Sequence, residues 1–562
     1  MHWIPSPNPN TEIVNKLAES LQVPYTVAYL LVQREVSSFE EAKLFFRPEV
    51  AHLHDPFLMK DMDQAVQRIE TALSSHEKIM VFGDYDVDGT TSVALVASYL
   101  KDLTTVVTYI PDRYKEGYGI SLQGIDQAHQ LGVTLIIALD CGIKAHKETS
   151  YAKELGIDFI ICDHHLPGEE LPSAQAVLDP KREDCSYPFK ELCGCGIGFK
   201  LIQAVHQAKG GTLDTLSSYF DLVAIAIAAD IVPLIGENRV LCALGLNSLR
   251  SNPRVGLHYF LQSVKRPVQV SDLVFVLAPR INAAGRMEKG HSAVELLMAE
   301  DTETALRISR MIEFFNTERR STEERITIEA LQQIELQEDQ KAASTVVYHP
   351  SWHKGVIGIV ASRLIETYYR PTLVLTKSEG VLAGSARSVS GFDVYQALTS
   401  CEEHLIQFGG HKYAAGLTLA EEDWEPFKKA FEEVVSTTLL DTQKTPSYLY
   451  DAVLPFDLIS PKFYRILQQM EPFGPHNMRP VFVTHGCKDS GGTRIVGKDK
   501  THLKLEINDS TGTVISGIAF GQAEHLITIK EQQPFSVLYT LEENEFNGVK
   551  QLQLKVKDIK FE

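Results

Sequence analysis

Three consecutive residues, Asp163, His164 and His165, close the short apolar run FIIC at 159–162. Two other apolar runs end in the same way: IMVF leads into GDYDVDG at 83–89, and TLIIAL leads into Asp140. Carboxylates and imidazoles at the carboxyl ends of parallel strands converge on one crevice, the place where open α/β sheets put their ligands. Asp84, Asp86, Asp88, Asp140 and Asp163 gathered there at neutral pH would repel one another and raise their own pKa values. One or two divalent cations remove that conflict. Mixed carboxylate and imidazole donors suit manganese, magnesium, iron or zinc and not a thiol-preferring metal. Taken singly, an Asp after a strand is often a helix N-cap and a lone His a satisfied core residue. Three strand ends repeating one pattern favour a metal site.

The elements that must position these residues belong to a long chain. At 562 residues it exceeds what one core can organise, and three or four domains are expected. With 44% hydrophobic and 23% charged residues it has an ordinary globular composition. The amino terminus MHWIPSPNPN has no basic region followed by an apolar stretch, and the most apolar segment, LVAIAIAADIVPLI, is interrupted by Asp230. No membrane association is expected, and the expected compartment is cytoplasmic. Eight cysteines are scattered without a CxxC pair, which supports neither a disulfide framework nor a zinc knuckle. Cys193 and Cys195 in CGCGIG read as small residues in a tight turn. The formal charge of −19 argues on its face against a polyanionic partner, yet part of it sits in the carboxylate cluster where cations would offset it. Nucleic acid would have to be met locally, by particular Arg and Lys residues.

Residues 1–55 read as a helical lead-in, with SFEEAKLFF carrying a Ser N-cap and a Glu three positions on. From 56 to 300, Val/Ile-rich runs alternate with amphipathic stretches such as SVALVASYL and GIDQAHQL, which predicts a parallel, doubly wound sheet. Residues 301–341, without Pro or Gly and rich in Glu, Arg, Leu and Ile at helical spacing, predict a long connecting helix. A second α/β unit is expected over 342–440. The final section, 441–562, has alternating runs such as THLKLEI, GTVISGIAF and QLQLKVKDI that suit a small β-barrel.

GDYDVDGTTS, IALDCGI, ICDHH and AIAAD, in that order, resemble the successive motifs of the DHH phosphoesterase superfamily. The companions PDRYKEGYGI, PRINAAGRM, GSARS and FGGHKYAAG narrow the resemblance to its RecJ family of single-strand-specific 5′→3′ exonucleases, over about 50–560. The resemblance implies an α/β multidomain architecture: a parallel-sheet DHH catalytic domain, the connecting helix, a DHH-associated substrate-binding domain and a C-terminal OB-fold β-barrel. It implies Asp86, Asp88, Asp140, His164 and Asp230 as ligands of two ions, Mn2+ or Mg2+. His165 is expected beside them as a ligand or a contact to the scissile phosphate, Asp84 as a ligand or a carboxylate that orients one, and Asp163 in that orienting role. Two ions about 3.5–4 Å apart activate water and stabilise the attacking and leaving oxygens of an in-line displacement at phosphorus. The implied reaction is hydrolysis of single-stranded DNA to 5′-mononucleotides, in DNA repair and recombination. A single-strand binding protein and a helicase are implied as partners.

A terminal phosphate favours guanidinium and hydroxyl donors over a broad basic strip. Arg113, Ser385 and Arg387 match the positions expected to receive it, and Tyr118 is placed to stack on a base. Arg280, Asn282 and Arg286 are expected to line the same channel. Gly409 and Gly410 permit close backbone approach to a phosphate, with His411 supplying a donor. In the C-terminal unit, Phe482, Arg494, Lys498 and Lys500 are candidate contacts to a single strand. Other superfamily readings are a phosphodiesterase of short oligonucleotides, a pyrophosphatase and a DNA-binding scaffold that has lost its ligands. Phe82 stands where the pyrophosphatase motif begins with His, and this chain keeps every expected acid and both histidines.

Overall fold

The runs KIMVFG, VTLIIAL and DFIIC lack the apolar/polar alternation of a half-exposed strand, so each must be covered on both faces. In the computed structural model they lie at the centre of a five-stranded parallel sheet. The structure describes residues 1–562 except 288–289, 337–340, 547 and 562, and only the backbone of 286, 287 and 546. The strand order is Val106–Tyr109, Lys78–Gly83, Val133–Leu139, Asp158–Cys162, Ala176–Leu178. One face, with Ile79, Val81, Leu135, Ile137 and Ile160, packs under helices Val87–Leu100, Gly194–Ala208 and Phe220–Ala229. The other, with Met80, Phe82, Ile136, Ala138 and Ile161, packs under Leu122–Gln130 and His146–Glu154.

Register decides where the chemistry falls. Gly83 pairs with Leu139, Leu139 with Cys162, and Cys162 with Leu178. The residues that follow, Asp84, Asp140, Asp163 and Asp179, therefore leave the sheet at one level, side by side. The fifth strand repeats the pattern seen at the other three, an acid that the sequence reading passed over.

Helix Thr302–Leu336 is 35 residues long, about 50 Å at 1.5 Å per residue. Its first half buries Ala305, Ile308 and Ile312 in the core of the first unit. Its second half buries Ile326, Ala330 and Ile334 against Trp352, Val356 and Val360. The second unit is a five-stranded sheet in the order Gln407–His411, Ala414–Leu419, Val381–Arg387, Thr372–Ser378, Thr345–Tyr348, parallel only between the last two. Helix Trp424–Thr438 covers it with Phe427, Phe431 and Val435.

The C-terminal unit is a seven-stranded, mainly antiparallel sheet. Within it Phe482–Asp489 pairs with Phe535–Phe546 and also briefly with His502–Asn508. Phe482 is wholly buried in its core, so it presents no ring to a nucleic acid. It opens a strand whose first three residues are all buried, and Arg494, Lys498 and Lys500 are the exposed candidates.

The helical lead-in of residues 1–55 packs on the C-terminal unit. Strand His2–Pro5 pairs in parallel with Ser447–Tyr450, and Trp3 Nε1 donates to Asp558 Oδ2 at 2.8 Å. The amphipathic helices Thr11–Leu21, Tyr25–Gln33 and Phe39–Phe46 place Val14, Leu17, Leu30, Leu31 and Phe45 in one core with Phe456, Phe463, Phe482 and Tyr539. Three short helices bury too little apolar surface alone, and the C-terminal unit supplies the missing face. Ser38 and Glu41 do form the expected reciprocal cap of the third helix. Among the described residues, no helix is long and apolar enough to cross a membrane.

Arg239, 4% exposed, ties these parts together. Its guanidinium donates to the carbonyls of Phe45, Met470, Glu471 and Pro472 and lies 3.7 Å from the Phe45 ring centroid. Burial among carbonyls instead of carboxylates lowers its pKa to about 10. Arg239→Ala should orphan these acceptors and lower stability by about 3 kcal/mol, the scale of several buried unsatisfied groups. A fall in the midpoint of urea or thermal unfolding checks this; an unchanged midpoint would mean that water replaces the guanidinium.

Candidate metal centre

Each acid at the sheet edge is placed by a specific local device. Asp86 caps helix Val87–Leu100 by accepting from Gly89 N at 3.0 Å. Asp88, in the first turn, accepts from Gly194 N at 2.6 Å and Cys195 N at 2.7 Å. Those donors open helix Gly194–Ala208, so the CGCGIG segment is a helix start aimed at a carboxylate and not an isolated turn. Asp140 adopts φ +60, a left-handed conformation that costs a non-glycine residue about 1 kcal/mol or more. Its N–H donates to Cys162 O at 2.9 Å, which turns the carboxylate under His164. Gly194 completes the fit, since a Cβ there would stand 2.6 Å from Asp140 Cβ and 2.8 Å from Asp140 Oδ1.

His164 Nε2 lies 3.1 Å from Asp140 Oδ1, 3.6 Å from Asp230 Oδ2 and 3.9 Å from Asp88 Oδ2. Two overlapping groups, Asp140 with His164 and His165, and Asp88 with His164 and Asp230, bring ligand atoms within 4.8 Å of one another. Asp230 arrives at the C-terminal end of helix Phe220–Ala229. Asp84 is fully buried and Asp86 half-buried, both outside the two groups.

The electrostatics match a cation site. Burial, with the charge of Asp86, pushes Asp84 up to about 8. Burial and the surrounding carboxylates hold Asp88 and Asp140 well above the usual range, and Asp230 rises to about 7. Burial and the neighbouring His165 lower His164 to about 3, which keeps it a neutral imidazole with a lone pair to offer. Asp140 Oδ1 is buried without a hydrogen-bond partner. An orphaned oxygen facing a neutral imidazole and further carboxylates fits a divalent ion with oxygen and nitrogen donors.

Asp163 does different work. Its Oδ1 accepts from His164 N, His165 N and His165 Nδ1 at 2.8, 3.2 and 2.7 Å, and its Oδ2 accepts from Ile143 N at 2.9 Å. Burial opposes its ionisation, but the bonds from His165 and Ile143 outweigh that and lower its pKa. Engaged this fully, it orients the His165 ring and fixes the backbone that carries His164. Asp179, also buried, rises to about 7 chiefly through burial, and one of its oxygens caps the turn at Lys181 N, 2.7 Å away.

Next to this edge a cavity of about 490 Å³ separates the first unit from the second. Tyr85, Arg113, Tyr114 and Tyr118 line one side, and Lys354, Gly358, Ser385, Arg387 and Gly409 the other. Arg387 Nη1 donates to Ser385 Oγ at 3.0 Å. Burial, with Arg113 nearby, lowers the pKa of Arg387. Neither arginine has a carboxylate partner among the described residues. Tyr118 is 54% exposed, which removes core packing as its explanation, and its hydroxyl reaches Asp140 O at 3.2 Å and His165 Nε2 at 3.3 Å.

Several expected contacts lie elsewhere. Arg280 is claimed by Glu313 on the long helix, at 2.6 Å, and by Val276 O. Its charge is thereby neutralised away from the cavity. Asn282, on the same helix Ala278–Met287, is half-buried outside the lining, and the side chain of Arg286 lies outside the described residues. Gly410 and His411 continue the edge strand beyond Gly409 and do not line the cavity. Tyr85, Gly194 and Asp179 were missed in the sequence, although Tyr85 and Gly194 sit inside segments already singled out.

The fold and this edge define a metal-dependent phosphoesterase of the DHH type, carrying a second sheet unit and a C-terminal, mainly antiparallel β unit. Three family models match in the same order: the DHH family N-terminal domain over 78–227, the DHHA1 domain over 339–437 and the RecJ OB domain over 450–558. The chain is 39% identical to the single-stranded-DNA-specific exonuclease RecJ of Bacillus subtilis, over 98% of this chain and 70% of that protein. It superposes on the crystal structure of RecJ from Thermus thermophilus in complex with Mn2+ with a TM-score of 0.85 at 27% identity, covering 100% of this chain and 79% of that one. The Mg2+ complex of that protein gives 0.80 at 26% identity, covering 100% and 78%. The chain belongs to the RecJ family of single-stranded-DNA-specific exonucleases.

Gly194→Ala should drive a methyl group into Asp140 and loosen the N–H donors on Asp88, weakening Mn2+ binding about tenfold or more. The rise in melting temperature with added Mn2+ measures this. A shift equal to that of the unsubstituted protein would remove Asp140 from the metal centre.

Proposed function

We propose that the protein is a metal-dependent 5′→3′ exonuclease that hydrolyses single-stranded DNA to 5′-mononucleotides. The observation that carries this reading is the adjacency of two unlike sites: carboxylates and a neutral imidazole in register at the sheet edge, and arginines without carboxylate partners in the cavity beside them. Asp86, Asp88, Asp140, His164 and Asp230 would hold two divalent ions, with Asp84 and His165 as further donors. Such ions activate water and stabilise the charge that develops on the attacking and leaving oxygens. Everything else falls to the polypeptide. Asp163 holds the His165 imidazole and the His164 backbone in place, Gly194 and Cys195 fix Asp88, and His165, flanked by Tyr118, faces the position of the scissile phosphate.

Arg113, Arg387 and Ser385 receive the terminal phosphate as charge-assisted and hydroxyl donors. Tyr118 offers a face to the first base, a contact indifferent to sequence and worth about 1–3 kcal/mol. The space between the two units, held by the long helix, admits one strand, and the C-terminal unit holds the chain further on through residues such as Arg494 and Lys500. The family relationship supports a role in DNA repair and recombination, acting in the cytoplasm with a single-strand binding protein and a helicase as partners.

The test is a time course with Mn2+ on strands labelled at either end, with 5′-phosphate or 5′-hydroxyl, beside the same sequence as blunt duplex. Mononucleotides released from the 5′ end of single strands alone are expected, and none after chelation of the metal. Cleavage confined to di- to pentanucleotides would assign the protein to the short-substrate phosphodiesterases instead. Asp140→Ala should lose hydrolysis by more than about a thousandfold while still binding single strands, as expected when a group acting on the transition state is removed. Arg387→Ala should lower kcat/KM about tenfold or more on 5′-phosphorylated ends, with little change on 5′-hydroxyl ends; equal loss on both would make it a general backbone contact.

A further inference from the structure

Tyr85 belongs to both sites at once. It lies between Asp84 and Asp86, so its backbone is part of the acidic loop, while its ring lines the cavity. The Arg113 guanidinium stands over that ring, 4.5 Å from its centroid. Tyr118 meets the ring edge-on, at 6.1 Å and 85°, and itself reaches Asp140 O and His165. From behind, helix Ala278–Met287 presses against the same residue: a Cβ on Gly285 would come 2.8 Å from Tyr85 O. The backbone of Tyr85 is thus fixed by packing, and its ring is the surface on which Arg113 rests. The loop that carries Arg113 is organised separately by Glu116, which accepts from Asp112 N at 2.7 Å and from Tyr109 Oη at 2.7 Å.

The consequence concerns product length and rests on the function proposed above. A terminal phosphate held at Arg113 and a scissile phosphate held at the metal loop define how many nucleotides lie between them. Any group that fixes that separation fixes the step. We infer that Tyr85 is a positioning residue that sets the distance between Arg113 and the metal centre, and so limits each cut to one nucleotide. It touches neither phosphate. It acts through the placement of Arg113, in a contact whose strength comes from a cation against a partly desolvated ring face.

Tyr85→Met keeps bulk and flexibility without the ring face, and Tyr85→Phe keeps the ring. On 5′-phosphorylated single strands, Tyr85→Phe should match the unsubstituted protein in product length and in preference for the phosphorylated end. Tyr85→Met should release dinucleotides among its first products, and its 5′-phosphate preference in kcat/KM should fall roughly tenfold, the scale of a cation–π contact. In combination with Arg113→Met, Tyr85→Met should cost no further preference, since both remove one interaction. Mononucleotides alone with an unchanged preference would overturn the inference. So would a rate loss equal on both ends with product length unchanged, which is the signature of a ring that merely supports the acidic loop. If Tyr85→Met does not fold, Tyr85→Leu takes its place under the same criteria. An unsubstituted protein that cuts no single strand from its 5′ end would overturn the proposed function and this inference together; correct mononucleotide release beside an unaffected Met variant overturns the inference alone.

Discussion

Like charge held in a dry place governs this molecule. Asp84, Asp88, Asp140 and Asp163 are each at most 2% exposed, within one turn of the ends of adjacent strands. No carboxylate keeps its charge there without something to offset it. The structure answers in three ways. Asp163 is satisfied entirely by N–H donors. Asp88 is set against the opening of helix Gly194–Ala208, whose backbone amides face it. Asp140 and Asp230 are left facing a neutral His164, a combination whose remaining need is a cation.

The strand ends were legible because their signal is local: a buried parallel strand is a continuous apolar run, and the acid after it is the next letter. What those acids do was less legible, because it depends on what meets them from elsewhere. Nothing local in CGCGIG says that its amides reach Asp88, more than a hundred positions earlier. Tyr85 stood inside the acidic motif, but its ring is meaningful only beside Arg113, on another loop. Arg280 reads as a channel residue from its motif alone, but its guanidinium is paired with Glu313 on the long helix. Residues 1–55 show the same limit at larger scale. Their helices were readable from caps and periodicity, whereas the core they complete lies some four hundred residues on.

The long helix turns two sites into one. Its two halves lie in different cores, so the sheet edge and the second unit are spaced by a continuous rod and not by a flexible linker. Across the resulting gap, Arg113 and Arg387 act on each other as like charges, and among the described residues neither has a carboxylate partner. That arrangement is unfavourable for the empty pocket and favourable once an anion enters. On the function proposed above, a phosphate bound there would join the two units as well as serve as a ligand.

This bears on how a chain of net charge −19 meets a polyanion. Much of its positive charge is already engaged: Arg280 with Glu313, Arg363 with Glu323 and Glu366, Arg254 with Asp221, Arg182 with Asp61 and Asp184. A field built from such pairs attracts little at a distance, because screening and local neutralisation cancel it within about 10 Å. The arginines of the cavity are different in kind, since neither forms an ion pair with a carboxylate among the described residues. An enclosed pair of cations favours the densest negative charge a strand can offer, which is its phosphorylated end, and gives much less to phosphates along its length. On the function proposed above, selection of an end over an interior position follows from where the positive charge has been left unpaired and not from how much of it there is.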